Sequence, residues 1–460
     1  MGGAAAGAEA KRFGRSAGLL SAGIGAAGAL TYVYFALASH NLAAAEYGEV
    51  VVLWSATFIA ISVLYRPVEQ LLSRTIAERE VLARPLGPAL RVAAAIQLAI
   101  AAAWLALALA LRGPIESDLL SGDATLYWVL VGAVLAFGAS FFARGFLAGR
   151  HRFGVLAALL LAESAARAGF ALALAVGLAE GQDVVALGIV AAPCLSLLVV
   201  PLAAGRVAKR RASAGENLEP LTAPGAGQDL SAEFSLAEGG GFAAAVLVIM
   251  VSEQALLNAG PLLVRASLDA AAAGFIFNVL MVARAPLVVF QGIAISLLPH
   301  LTRLISRGGD HPESADAFRV SVRATLLAVA AFTAVVEGVV LAAGPELMQI
   351  AFGETFSYDR LGLVIVAAGM GFYLAAATLN QAALARGRAR AAAACWIACA
   401  VAFLAWNLIP GVEELRRVET GFTGAAALLC GLLYLLYRRG AAEAGDAAPQ
   451  RAPAAAATRR

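Results

Sequence analysis

Apolar runs of about 20 residues recur along almost the whole chain, each long enough to cross a hydrocarbon core of roughly 30 Å as a helix. Lipid offers no water to a backbone amide or carbonyl, so such runs satisfy their own polar groups only as helices. With 61% of its 460 residues hydrophobic, 14% charged and a mean hydropathy of +0.80, the chain exceeds what one soluble core requires. We read twelve spans: Ser16 to Ser39, Glu49 to Arg66, Leu90 to Leu111, Ala124 to Ala143, Phe153 to Leu178, Val184 to Ala204, Gly241 to Val264, Ala271 to Pro299, Phe318 to Ala343, Leu361 to Leu384, Ala389 to Ile409 and Phe422 to Tyr437.

The charges between these spans alternate. Odd-numbered connections carry mainly acids: Glu46 and Glu49, then Glu116, Asp118 and Asp123, then Glu180 and Asp183, then Glu346, Glu354 and Asp359. The others carry Arg66, Arg74, Arg79, Arg84 and Arg91; then Arg144, Arg150 and Arg152; then Arg206, Lys209, Arg210 and Arg211; then Arg303, Arg307, Arg319 and Arg323; then Arg386, Arg388 and Arg390. The positive-inside rule places the arginine-rich connections and both termini in the cytoplasm. Arg416 and Arg417, outside together with Glu413, Glu414 and Glu419, blur the last connection.

The net charge of +3 arises from this asymmetry of sides rather than from a nucleic-acid surface. Lys11, Arg12 and Arg15 resemble the start of a signal peptide, but the run that follows is long and lacks a convincing cleavage site, so it reads as an uncleaved first span. Cys194, Cys395, Cys399 and Cys430 fall inside spans without neighbouring ligands, and His40, His151, His300 and His311 are scattered over helix ends and loops. Neither a metal site nor a catalytic constellation follows, and no cofactor is expected.

Residues 206–240 combine a basic cluster with Pro220, Pro224 and a polar, glycine-containing stretch, and read as a cytoplasmic linker between six-helix bundles at 16–205 and 241–439. The segments 1–15 and 440–460 read as disordered. An internal echo joins the halves. Leu42-Ala-Ala-Ala-Glu-Tyr-Gly48 parallels Leu268-Asp-Ala-Ala-Ala-Ala-Gly274, and Leu72-Ser-Arg74 parallels Leu301-Thr-Arg303. Six spans per half give both halves the same orientation, as in a parallel repeat about the membrane normal, although an alanine-rich chain also produces such matches by chance.

An ionisable side chain near the bilayer centre costs roughly 2.5–3.5 kcal/mol on insertion scales, so one that persists there faces a cavity or a partner. Arg284 lies about 13 residues into its span, roughly 20 Å from the outer end. Arg167 is similarly deep, with Glu163 one turn earlier on the same face, an arrangement that also suits a purely structural ion pair. Glu253 sits near the middle of the seventh span, followed by Gln254 and Asn258, and Gln291 follows Arg284 by seven residues between Pro286 and Pro299. These polar positions suit either a water-filled cavity or hydrogen bonds between helices. Arg66, with Glu69 one turn on, and Arg144 belong near the cytoplasmic mouth, where interfacial anchoring is the other reading. Glu337, Asn380 and Gln381 are further polar intrusions. Guanidinium groups suit phosphate, since they bind it bidentately and stay charged when desolvated.

Leu42-Ala-Ala-Ala-Glu-Tyr-Gly-Glu-Val50, Arg144-Gly-Phe-Leu-Ala-Gly-Arg-His-Arg-Phe153 and Ile295-Ser-Leu-Leu-Pro-His-Leu-Thr-Arg303 carry a family resemblance. The chain resembles bacterial polysaccharide-biosynthesis exporters, the Wzx-type O-antigen flippases of the multidrug/oligosaccharidyl-lipid/polysaccharide (MOP) superfamily. The resemblance implies an all-α, MATE-like, V-shaped pair of six-helix bundles in the bacterial cytoplasmic (inner) membrane. By alternating access these would carry an undecaprenyl-pyrophosphate-linked oligosaccharide from the cytoplasmic to the outer leaflet. It also implies a carrier rather than an enzyme, without nucleotide hydrolysis, in line with the lack of a Gly-x-x-x-x-Gly-Lys-[Ser/Thr] loop. Related lipid flippases receive pyrophosphate in a cationic cavity to which the eighth helix contributes, a placement that Arg284 matches. The expected substrate-binding residues are Arg284, Arg167, Arg66, Arg144, Gln254, Asn258 and Gln291. Glu253, Glu163 and Glu337 are candidates for ion coupling. Expected partners are the lipid-linked saccharide, membrane lipids and, as further candidates, glycan-assembly enzymes.

Twelve spans lack the extra pair of some peptidoglycan-precursor flippases, which argues against a lipid II substrate. A cation-coupled multidrug exporter of the same fold would use the intramembrane carboxylates instead. An integral-membrane glycan polymerase or ligase would place reactive residues on a large outer loop, whereas the longest outer connection, around Gly344 to Arg360, is short and lacks a histidine.

Overall fold

The computed structural model describes residues 2–82, 84–202, 236–284, 287, 301, 312–356 and 358–446, and among these there is no strand. The long helices are α1 (Gly2–Asn41), α2 (Ala44–Leu64), α3 (Arg66–Val81), α4 (Gly87–Ala110), α5 (Ala124–Gly149), α6 (Phe153–Ala175), α7 (Gln182–Ser196), α8 (Leu236–Ser267), α9 (Ala270–Arg284), α10 (Pro312–Phe352), α11 (Arg360–Ala385), α12 (Ala389–Asn407) and α13 (Glu414–Asp446). Among the described residues eleven helical stretches are long and apolar enough to cross a membrane, with α2 and α3 forming one continuous stretch, Ala44–Glu80. Of the expected eighth span, the described part is the shorter helix Ala270–Arg284; Pro286, Gln291 and Pro299 lie outside the described residues, as does most of the expected linker.

Several expected boundaries move. Helix α1 starts at Gly2 and α13 runs to Asp446, so helix covers the N-terminal segment and the first residues of the C-terminal segment read as disordered. Both stretches are rich in alanine, the residue of highest intrinsic helix propensity. The basic stretch after Arg66 is helical to Val81 rather than a loop. Pro67 is accommodated there because it stands in a first turn, where its missing N–H has no helical acceptor to lose. Helix α10 exceeds its expected span and kinks at Ala343, whose φ of −137° is non-helical, two residues before Pro345.

The chain forms two compact units. The first comprises residues 1–236, 257–281 and 346–357; the second comprises residues 237–256, 282–345 and 358–460. In the first unit α1 packs on α6, α3 on α5, and α7 on both α5 and α6. In the second, α13 packs on α11 and α12. Burial ranks the helices: 61% of the most apolar window is buried in the stretch α2–α3 and in α5, against 17% in α4 and 11% in α10. A largely apolar helix so little covered by protein is suited to face lipid.

Close helix approach relies on glycine. On α5, Gly145 and Gly149 are four apart, and a Cβ on either would come within 2.8 Å of the Glu69 carbonyl oxygen or 2.7 Å of the Ser73 carbonyl oxygen on α3. Seven residues before Gly145, Gly138 gives its carbonyl to Gln97 Nε2 at 2.7 Å. This is the small-xxx-small solution to packing in lipid, where only tight van der Waals contact and hydrogen bonds hold helices together.

A second approach involves the sequence echo. Glu46 accepts the Ala43 amide at 3.1 Å at the start of α2, and Asp269 accepts the Ala272 amide at 2.8 Å at the start of α9. Gly48 and Gly274, the last residues of the matched segments, meet within the first unit. A Cβ on Gly48 would strike the Ala270 carbonyl, and one on Gly274 would reach 3.1 Å from the Gly48 Cα. The contact is therefore made by equivalent positions of the two segments.

Candidate functional site

Helices α1, α2, α3, α5 and α6 of the first unit place charged and aromatic side chains together. Asp123 caps α5 by accepting the Thr125 and Leu126 amides at 2.7 and 3.1 Å, satisfying two of the donors that a helix start leaves unpaired. Further along α5, Ser140 and Arg144 stand four apart on one face, as do Glu163 and Arg167 on α6. Glu163 Oε2 accepts from Arg144 Nη2 at 2.5 Å and from Ser140 Oγ at 3.1 Å, while Oε1 accepts from Arg167 Nη2 at 3.2 Å. All three charged side chains are largely buried, with exposures of 13% for Arg144, 7% for Glu163 and 4% for Arg167.

Aromatic faces complete the shell. The Arg167 guanidinium carbon lies 4.5 Å from the centroid of Trp54 on α2, and that of Arg144 lies 4.6 Å from the Phe141 ring. Tyr34 of α1 is within electrostatic range of Arg167. Glu69 is within range of Arg144, Arg66 and Glu163, so the expected mouth residue Arg66 belongs to the same electrostatic neighbourhood. Two guanidinium groups share one carboxylate, leaving the triad a net positive charge. Arg144 Nε and Arg167 Nε are buried without a hydrogen-bond partner among the described residues. The arrangement can hold an anion with unused donors, or it can hold α5 and α6 together against Trp54 of α2.

The second unit has a different centre. Glu253 of α8 accepts from the Tyr373 hydroxyl of α11 at 2.7 Å, the Tyr373 ring meets Trp396 of α12 edge-on at 6.0 Å, and the Trp396 indole donates to Asn380 Oδ1 at 3.1 Å. A carboxylate in this position can bind a cation or exchange a proton. Gln254 is buried in the second unit and Asn258 in the first. Arg284, half-buried, closes the described part of α9, and Glu337 is half-buried on α10. Gln291 lies outside the described residues.

The blurred last connection resolves into ion pairs. Arg416 is 2.7 Å from Asp359 and 3.1 Å from Glu419, and Arg417 is 3.1 Å from Glu414. Among the described residues no cluster of His, Cys, Asp and Glu could hold a metal ion.

Two features of the expected site emerge only from the packing. Arg144 is a direct, shielded partner of Glu163 rather than only an anchor at a mouth, because helix α5 extends six residues beyond its expected end at Ala143 and keeps Arg144 within the packed region. Sequence reading also missed Trp54, Ser140, Tyr373 and Trp396. An aromatic or a serine in an apolar helix gives no signal until its neighbour across the interface is known.

No protein-family model matches the chain, and no curated protein matches its sequence. Solved structures do. An inward-facing multidrug-resistance MATE transporter of the MOP superfamily superposes with a TM-score of 0.65 at 11% identity, covering 91% of this chain and 96% of that one. The fold is that of the MATE transporters. A Vibrio cholerae MATE transporter, VcmN, gives a TM-score of 0.60 at 17% identity over 94% and 97% of the two chains. A MOP-superfamily transporter from Pyrococcus furiosus, described as having a binding pocket of reverse polarity that suggests a different function, gives 0.59 at 12% identity over 94% and 96%. The MATE-like fold and the eleven long apolar stretches among the described residues make this a multi-pass membrane protein.

Proposed function

We propose that the chain is a membrane carrier that moves a polyprenyl-pyrophosphate-linked oligosaccharide from the cytoplasmic to the outer leaflet of a bacterial inner membrane by alternating access. One observation carries the reading: the buried triad Arg144–Glu163–Arg167 has more guanidinium than carboxylate and keeps buried N–H donors in reserve. An arginine stays charged when desolvated and matches phosphate oxygens with a planar fork, so an excess of arginine in an apolar helix bundle suits a pyrophosphate better than a cationic drug. The binding pocket of reverse polarity described for the Pyrococcus furiosus transporter is a precedent within this fold for a pocket of altered polarity. In this reading Arg66 and Arg144 guide the head group, Arg167 and Arg284 attract it, Gln254, Asn258 and Gln291 contact sugar or water, and Glu253, Glu163 and Glu337 are available for ion coupling.

Glu253 and its Tyr373 hydrogen bond favour a second reading, a cation-coupled multidrug exporter in which the carboxylate receives the coupling ion or the drug. Thermal unfolding of the purified chain separates the two. Under the first reading an undecaprenyl-pyrophosphate-linked sugar raises the melting temperature and a lipophilic cation does not. Stabilisation by the cation alone would put the exporter first.

A further inference from the structure

Away from the triad, helices α3 and α4 leave between them an open cleft of about 240 Å³. Its floor is made by the small side chains Ala89 and Ala93, buried beside Leu72, and its walls by Leu71 and Val92. Leu71 and Val92 are 51% and 60% exposed, so the cleft opens on the outer surface of the bundle. Thr75 and Arg79 are its polar lining.

The charge around this apolar cleft is one-sided. Arg79 donates Nη1 to the Pro85 carbonyl at 2.8 Å, a bond that takes one of its five N–H donors. Arg84, in the turn between the helices, and Arg91, one turn into α4, are exposed. The nearby acids are engaged elsewhere: Glu78 with Arg74 at 2.7 Å and Glu80 with Arg150 at 2.5 Å. Among the described residues no carboxylate lies within ion-pair distance of Arg79, Arg84 or Arg91. The cleft therefore joins a membrane-facing apolar trough to a surplus of arginine, on the side that the arginine distribution assigns to the cytoplasm.

We propose that this cleft binds an anionic phospholipid, one acyl chain lying along Ala89 and Ala93 between Leu71 and Val92, with the phosphate against Arg79 and within reach of Arg84 and Arg91. The long side chains of these arginines can follow the apolar wall and present their charge at head-group depth. Basic pockets between helices on the cytoplasmic side are suited to anionic head groups, each arginine contributing a factor of about five in affinity. The inference does not rest on the transported substrate, since any membrane-embedded chain with this cleft would meet the same lipids.

Native mass spectrometry of the full chain in detergent, with phosphatidylglycerol and phosphatidylcholine of identical acyl chains, tests it. The wild type is expected to retain phosphatidylglycerol over phosphatidylcholine by about fivefold or more. Replacing Arg79, Arg84 and Arg91 together by Gln brings the two lipids to near parity. Val92→Trp, which fills the trough, lowers retention of both, whereas Leu98→Trp, on the exposed face of α4 outside the cleft, does not. Melting temperatures without added lipid show whether each variant is folded, and the wild-type competition decides the question even if one is not. Parity in the wild type, an unchanged preference in the arginine variant, competition by inorganic phosphate as effective as by phosphatidylglycerol, or displacement by polyprenyl phosphate at equal concentration would each overturn the proposal.

Discussion

Arg144 and Glu163, nineteen residues apart on neighbouring helices, meet at 2.5 Å in the first unit, and Arg167 approaches the same carboxylate from the other side at 3.2 Å. One carboxylate thus compensates two buried guanidiniums. Removing it leaves two like charges with only the more distant Glu69 near Arg144, whereas removing Arg167 leaves a paired Arg144–Glu163 couple. Breaking a buried pair by deleting one partner costs about 3–5 kcal/mol. Glu163→Gln is expected to reach that range and to destabilise the protein more than Arg167→Gln, measured by thermal unfolding in one detergent. A larger loss in the arginine variant would show that the second guanidinium is not held by the carboxylate.

Trp54 supports Arg167 through its ring face at 4.5 Å. A desolvated cation–π contact contributes about 2 kcal/mol, most strongly for tryptophan. Trp54→Phe, which keeps a face, should lose less stability than Trp54→Leu. Equal losses in the two variants would reduce Trp54 to a packing residue.

The glycines of α5 make a steric prediction. Gly145→Leu forces a side chain into the Glu69 backbone of α3, and overpacking of this kind costs about 1–3 kcal/mol. Gly169→Leu, on α6, meets nothing within 4 Å and should be silent. If both variants unfold at the wild-type temperature, α3 and α5 are not in this contact in the membrane.

Asp359 gives the account its pH dependence. Burial pushes its carboxyl up, but hydrogen bonds from Arg416 and from the Gly362 and Leu361 amides outweigh this and hold it below the usual value of 3.8. The charge of Arg416 lowers it further, and Glu419 and Tyr358 complete the group. A carboxyl depressed in the folded state adds stability that is fully present above its unfolded value and is lost as pH falls through the folded one. The stability advantage of wild type over Asp359→Asn should therefore be constant from pH 7 to about pH 5 and shrink below about pH 4. A constant gap down to pH 3 would mean that Asp359 is not ion-paired.

The architecture was largely legible because lipid leaves few options: the length of an apolar run fixes a spanning helix. The pair Glu163–Arg167 was legible for the same reason, being four apart within one helix. Its third member was not. Arg144 lies on another helix near a sequence-assigned boundary, and only the packing of α5 on its neighbours shows that it shares the carboxylate. Tyr373 and Trp54 were invisible because an aromatic side chain in a hydrophobic segment reads as one more apolar residue. The meeting of Gly48 with Gly274 lay between these cases: the matched segments marked both glycines, but not that they touch.

The proposed carrier moves a pyrophosphate-linked glycolipid by means of membrane-embedded arginines. Its most direct test is translocation of an undecaprenyl-pyrophosphate-linked oligosaccharide in proteoliposomes, comparing wild type with Arg284→Gln and Arg167→Lys at matched incorporation and melting temperature. Lysine keeps the charge of Arg167 but lacks the planar fork. Transport by wild type, its loss in Arg284→Gln and its reduction in Arg167→Lys are expected of such a carrier. Wild-type protein that is folded and moves a lipophilic cation, but not the glycolipid, would contradict it.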